Sequence, residues 1–448
     1  MRIGLGMIRL VLMLLLAVPV FSGVFSGPLR AEIAIQEVTS PGGITAWLVQ
    51  EPGIPFTALE IRFRGGTSLD APGKRGAVNL MTALIEEGAD GLDAQGFAAA
   101  RDALAAEYHF RASQDSVAVS ARFLTENRDQ AVDLLRDALI APRFDQDALD
   151  RVRGQVLSNI RGDAKDPDAL AGRAFDAAAF GSHPYGSSGD GTEETVLTLT
   201  RDDIVAAHRG ALARDRIFVA AVGDIAPDQL GLLLDRLLGD LPATGTALPG
   251  RADYALRAGV TVQEFPTPQS VVLFGHQGIT RDDPDFFAAY IVNEVLGGGR
   301  FSSRLMVELR EKRGLTYGVA TFMAPMDQAE LVLGQFASAN ETVAEAIGLV
   351  RAEWARMAAE GLTEAELAAA KTYLTGSYPL RFDGNGPIAN ILVGMQMEGL
   401  PIDYPTTRNA KIEAVTLEEA KRVAARLLHP EALHFVVVGQ PAGLASGE

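Results

Sequence analysis

Val271-Val272-Leu273-Phe274-Gly275-His276-Gln277-Gly278 reads as a buried strand running into glycine, and Leu59-Glu60-Ile61-Arg62-Phe63-Arg64-Gly65-Gly66, 212 residues earlier, reads the same way. A second pair of apolar strands repeats at nearly the same distance. Arg216-Ile217-Phe218-Val219-Ala220-Ala221-Val222-Gly223-Asp224 matches Leu433-His434-Phe435-Val436-Val437-Val438-Gly439-Gln440 at an offset of 216. Before each of these lies a helix with a capping-type start, Thr200-Arg201-Asp202-Asp203 and Thr416-Leu417-Glu418-Glu419. Helices opening near Phe144-Asp145 and Leu362-Thr363 keep the spacing. A period this long means a duplicated domain rather than a solenoid.

Within each unit the order is strands, a helix, strands, long helices, then a helix and a final strand. Ser116 to Phe123 alternates as a strand does, and Ala131-Val132-Leu134-Leu135-Ala138-Leu139 has helical 3–4 spacing. Grouped rather than strictly alternating elements predict an α+β fold of two homologous sheet-plus-helix domains facing a shared cavity. The expected boundaries are residues 35–241 and 257–441, joined by a Pro-, Gly-, Ala- and Thr-rich linker at 242–256.

The chain has 448 residues, 48% hydrophobic and 22% charged, and no cysteine, so disulfides and thiolate metal sites are excluded. Arg2 and Arg9 precede an apolar run from Leu10 to Val20 and then small residues up to Ala31, which reads as a secretory signal over 1–31. That places the mature protein in the periplasm or outside the cell. The apolar run is short for a ~20-residue span, so no stable membrane insertion is expected after cleavage. Losing 1–31 removes three arginines and no acid, and the net charge of −17 becomes −20. Such acidity disfavours nucleic acid as a partner.

Two further stretches carry chemistry. The helix after the first strand pair reads Gly76-Ala77-Val78-Asn79-Leu80-Met81-Thr82-Ala83-Leu84-Ile85-Glu86-Glu87-Gly88. In the second unit, Gly297-Gly298-Gly299-Arg300-Phe301-Ser302-Ser303-Arg304-Leu305 precedes Leu309-Arg310-Glu311-Lys312-Arg313-Gly314-Leu315-Thr316-Tyr317. On these stretches and on its duplicated layout the chain resembles the pitrilysin, insulysin and mitochondrial processing peptidase family of inverted zincins, in its short two-domain bacterial form.

The resemblance implies what the first helix ought to carry: Gly-x-x-His-x-x-Glu-His-x-x-x-x-Gly. Two histidines four apart reach one zinc, and the Glu activates its water. Gly76 and Gly88 keep their places, but Asn79 falls at the first His, Thr82 at the Glu and Ala83 at the second His. The family's third ligand, a Glu, falls at Asn159 within Val156-Leu157-Ser158-Asn159-Ile160-Arg161. All four positions of the motif are degenerate, and no other histidine pair has helical i, i+4 spacing. No metal is therefore expected in this chain.

In relatives an Arg and a Tyr seven apart, behind a glycine loop, hold substrate backbone and support the carbonyl oxyanion. The resemblance puts those roles on Arg310 and Tyr317, behind the loop Gly297, Gly298 and Gly299. The plainer alternative makes Arg310 an exposed helix residue paired with Glu308 or Glu311, Tyr317 a core residue and the glycines a helix terminator. A strand near Gln335 to Asn340 is placed to line the cavity.

The resemblance implies a substrate-gripping, non-catalytic subunit of a heterodimeric zinc metallopeptidase, inert alone. The zinc and His-x-x-Glu-His then sit in a homologous partner, peptides are the substrates, and a homodimer forms when the partner is absent. The alternative is an enzymatically inactive peptide-binding or assembly protein of the same fold. A third reading, a peptidase using other ligands, predicts tight zinc in the single chain.

Overall fold

Alternation over Phe56 to Arg64 sends Leu59, Ile61 and Phe63 to one buried face, and strands of this kind assemble two sheets. The computed structural model describes residues 34–445, so the predicted signal segment, 1–31, lies outside the described residues. The first half contains β1 (Gln36–Thr39), β2 (Thr45–Gln50), β3 (Phe56–Arg64), α1 (Ala77–Leu84), a short hairpin of β4 (Gly88–Ala89) and β5 (Leu92–Asp93), α2 (Ala94–Ala103), β6 (Glu107–Ala112) and β7 (Ser116–Leu124). It continues with α3 (Arg128–Ile140), α4 (Gln146–Asp163), α5 (Pro167–Phe180), α6 (Glu193–Thr198), α7 (Arg201–Ala211), β8 (Ile217–Gly223) and α8 (Pro227–Leu238). The second half has β9 (Gly259–Glu264), β10 (Gln269–Gln277), α9 (Phe286–Gly297), β11 (Val319–Pro325), β12 (Glu330–Ala339), α10 (Val343–Glu360) and α11 (Glu364–Ser377). It ends with α12 (Asn385–Met397), α13 (Tyr404–Ala414), α14 (Leu417–Leu427) and β13 (His434–Gly439).

The sheets run β1-β2-β8-β3-β7-β6 and β9-β13-β10-β12-β11. Apart from β1 they are the same sheet twice. β8 pairs parallel to β2 and antiparallel to β3, and β13 does the same with β9 and β10. The duplication is thus one of topology as well as sequence.

The register corrects one reading. Ala220 pairs with Glu60, and its counterpart Val436 pairs with Leu273. The β3 and β10 positions therefore correspond at 213 residues rather than the 212 obtained by superposing the strand-end glycines. The difference matters because one residue of slip turns every side chain to the other face. At 213, Ile61 matches Phe274, and both face their own half's helices.

Each sheet is apolar on its other face too, and there the halves exchange helices. α5, from the first half, lays Ala171, Phe175 and Ala179 across β10 and β13, against Val271, Leu273, Val436 and Val438. α12, from the second half, lays Ala389, Leu392 and Val393 across β3 and β8, against Trp47, Ala58, Ala220 and Val222. Burial on both faces explains why β8 and β13 read as continuous apolar runs without alternation. Residues 242–256 are tied to both halves: the Thr246 N–H donates to Gly210 O (2.9 Å) and the Ala252 N–H to Gln328 O (2.8 Å).

Candidate functional site

The first-half helix that carries the degenerate motif is well formed. Asp70 caps it, accepting from Gly76 N and Val78 N at 2.8 Å each, while burial pushes its carboxyl up to about 6. Asn79 is half-buried and Ala83 exposed, one turn apart, and α4 packs alongside with Asn159 exposed on it. Thr82 is buried, and its hydroxyl donates to Val78 O at 2.8 Å, closing on the helix itself. Two amides, a methyl and a committed hydroxyl do not make a zinc site. Glu86 and Glu87 turn to different cations, Arg101 (3.0 Å) and Arg151.

Four of the six histidines are bonded elsewhere. His208 bonds Leu139 O, His434 bonds Arg257 O and Thr261, and His183 bonds Gly250 O. His276 accepts from Trp354 Nε1 at 3.1 Å and bonds Gln277 O at 2.7 Å. Among the described residues no three His, Cys, Asp or Glu side chains are grouped to hold a metal ion. The zinc of the family does not fit these residues.

The second-half element is built differently. α9 ends at Gly297, where a Cβ would meet Thr321 Oγ1 at 2.6 Å, and Gly299 turns the chain at φ 84°. Arg300 is then fixed, its Nε 2.5 Å from Glu294 and its guanidinium 4.7 Å from the Tyr373 ring. Arg304 is buried and forks onto Glu366 at 2.7 Å twice, with Gly361 O at 2.9 Å. Burial works to raise the Glu366 carboxyl, but Arg304 and the Thr363 cap bring it down to about 2. On this anchor stands a π-helical turn, Met306–Glu311, in which Lys312 N reaches back five residues to Val307 O (3.0 Å). Such turns are rare and concentrate at functional sites.

Arg310 projects from that turn. Its side chain makes no hydrogen bond or ion pair with any described residue; it lies between two rings, Phe301 at 4.5 Å and Tyr317 at 5.1 Å from their centroids. Glu308, a pairing candidate from sequence, is instead taken by Lys312 and Arg313, which hold its carboxyl low. Buried Thr316 bonds both ways to Gly318 and throws Tyr317 outward, 89% exposed. Tyr317 is therefore not a core residue.

Arg310, Tyr317, Phe301 and Gly299 line one cavity of about 400 Å3 with Met306, Val319, Gln335 and Phe336. Asp168, in the first turn of α5, completes it from the other half. Five free donors on Arg310 and the Tyr317 hydroxyl face this space beside β11, the outer strand of its sheet. The arrangement can bind carbonyl or carboxylate oxygens. It does not bring Asn79, Thr82, Ala83 or Asn159 into the same pocket. Sequence reasoning missed Phe301 and Asp168. Phe301 carried a faint signal as an aromatic within a glycine loop; Asp168 carried none, because only the exchange of α5 brings it there.

Two sheets of one topology, a degenerate inverted-zincin helix and an Arg/Tyr pocket define an M16-type chain. The family model for the insulinase (peptidase family M16) domain matches residues 46–193, and that for the peptidase M16 inactive domain matches 198–374. The chain belongs to the peptidase M16 family. It is similar to a chain of Helicobacter pylori named non-peptidase homolog YmxG, 27% identical over 398 residues that cover 89% of this chain and 92% of the relative. A Streptomyces coelicolor chain named an uncharacterized zinc protease is 27% identical over 88% of this chain and 87% of its own length. The crystal structure of a peptidase M16 inactive domain from Pseudomonas fluorescens superposes with a TM-score of 0.86 at 28% identity, covering 91% of this chain and 98% of that one. At the four positions of the family's zinc motif this chain carries Asn79, Thr82, Ala83 and Asn159.

Proposed function

We propose that this chain is the substrate-gripping subunit of a heterodimeric zinc peptidase, working in the periplasm on peptides. The zinc and the water-activating Glu belong to a homologous partner bearing His-x-x-Glu-His. Arg310 would hold a peptide carbonyl there and Tyr317 would donate to the oxyanion, closing the partner's active site in trans. One observation carries this reading: Arg310 is held by rings alone, with every N–H unspent, in a chain whose own α1 has Asn79, Thr82 and Ala83. The buried arginine of the same element, Arg304, is by contrast bonded to protein oxygens. The reading of 1–31 as an export signal supports the location.

The test is co-expression with an M16 chain carrying the intact motif. Arg310→Ala and Tyr317→Phe should each cut the complex's peptide turnover by about 100-fold, since removing one such donor costs ~3 kcal/mol in the transition state. Unchanged turnover in both variants overturns the proposal. A second reading, a peptide-binding or assembly protein without an enzymatic partner, is favoured by the likeness to the chain named a non-peptidase homolog. Purification from native cells separates the two: a zinc-bearing homologue co-purifies under the first and not under the second, where the chain is free to pair with itself.

A further inference from the structure

We infer that Phe301 is the positioning residue for Arg310, and that its free face makes the pocket select peptides with an apolar side chain at the gripped residue. The second part rests on the gripping role proposed above; the first does not.

Phe301 is suspended between two anchored arginines. Arg300, just before it, is pinned by Glu294 and Tyr373; Arg304, three residues on, is pinned by Glu366 and Gly361. At the base of the loop Gly297 packs closely on Thr321, and Gly299 takes the left-handed turn at φ 84° that leads to Phe301. Held between these anchors, the Phe301 ring lies 4.5 Å from the Arg310 guanidinium, nearer than Tyr317 at 5.1 Å. An arginine with no hydrogen bonds keeps its orientation only through such stacking. Phe301 is nonetheless 62% exposed. A large aromatic exposed beside a still more exposed tyrosine marks a contact surface. With Met306, Val319 and Phe336 it gives the pocket an apolar wall under the polar grip.

Three variants of the full chain, Phe301→Ala, Phe301→Tyr and Arg310→Ala, test both parts. Phenylglyoxal labelling of Arg310, mapped by mass spectrometry, reads its confinement without any ligand. Phe301→Ala should raise the Arg310 labelling rate at least 3-fold, with Phe301→Tyr near wild type; an unchanged rate overturns the positioning role, whatever peptides do. Anisotropy with a fluorescein-labelled peptide Ala-Ala-Leu-Ala-Ala and its Leu→Ser counterpart then reads selectivity. The wild type should prefer Leu by about 10-fold, Phe301→Ala should erase the preference, and Phe301→Tyr should keep most of it. Equal binding of Leu and Ser peptides by the wild type overturns the apolar selection. Loss of selectivity without any effect of Arg310→Ala on affinity would instead count against Arg310 as the grip.

Discussion

The backbone N–H of Asp327 donates to the carboxylate of Asp115 at 3.3 Å, joining the β11–β12 turn of the second half to the β6–β7 turn of the first. The two turns are counterparts in the duplicated fold. Arg64 closes the junction on Asp327 at 3.1 Å, and Tyr185 donates to Asp115 while accepting from Gln328 N at 3.0 Å. Desolvation raises both carboxyls, and the junction is held by hydrogen bonds and the Arg64 ion pair on two half-buried acids. Together with the exchanged α5 and α12 it makes the two halves structurally dependent on each other.

That dependence predicts one unfolding transition. The chain has two tryptophans, Trp47 on the first sheet and Trp354 on α10 of the second half. Single-tryptophan variants should report the same denaturation midpoint. Phe175→Ala, which empties a fully buried site where α5 crosses the second sheet, should cost about 3–5 kcal/mol and move both probes equally. A shift seen by Trp354 alone would mean that the halves unfold separately.

His276 sets an acid limit. Burial holds its imidazole down to about 4, and it takes the Trp354 N–H on Nε2 while Nδ1 faces Gln277 O, so the neutral ring is the one that fits. The unfolded side chain titrates near 6.5, so the stability this group adds is complete above that pH. It is lost as pH falls from about 6.5 toward 4. The denaturation midpoint read by Trp354 emission should fall over that window, and His276→Gln should flatten the dependence. An acid transition unaltered in that variant would assign it to another group.

Glu366 links fold and site. Its low carboxyl cups Arg304, which anchors the turn bearing Arg310, and it caps α11 through Thr363 N at 2.7 Å. Glu366→Gln leaves a buried guanidinium half-paired and should destabilise the chain by about 2–4 kcal/mol. Because the folded carboxyl is depressed, the wild type holds this stability at neutral pH and loses it as pH falls from about 4.5 toward 2, whereas the variant should show a shallower slope, left by other low carboxyls such as Asp285. Peptide affinity should fall further than in a variant of similar stability lost elsewhere, such as Phe97→Ala on α2.

Much of this architecture was legible because the duplication writes each element twice. The strands at Leu59 and Val271, the capping boxes at Thr200 and Thr416 and the helix at Thr363 all stand as read. The one-residue register error arose because glycines mark where a strand ends but not which face a residue takes; Glu60, buried on the inner face with Arg62 and Ser120, hides the alternation. Helix exchange was illegible, since Phe175 and Val393 show which face is apolar and not which sheet receives it. The Arg310 and Tyr317 positions came from a motif, but the ring that holds Arg310 came only from packing.

The degenerate helix offers the sharpest metal test. Asn79 and Ala83 lie one turn apart on α1, and α4 packs beside it with Asn159 exposed. The wild type, purified without chelator, should contain no stoichiometric zinc. The triple variant N79H/A83H/N159E should bind about one zinc per chain by elemental analysis, with a melting temperature that rises with added zinc as linkage requires. Peptide cleavage is not expected to return, because Thr82 remains where the general base would stand and its hydroxyl is bonded to Val78 O. A tight zinc in the wild type would place ligands outside this helix; a triple variant that stays zinc-free would move the third ligand position away from Asn159.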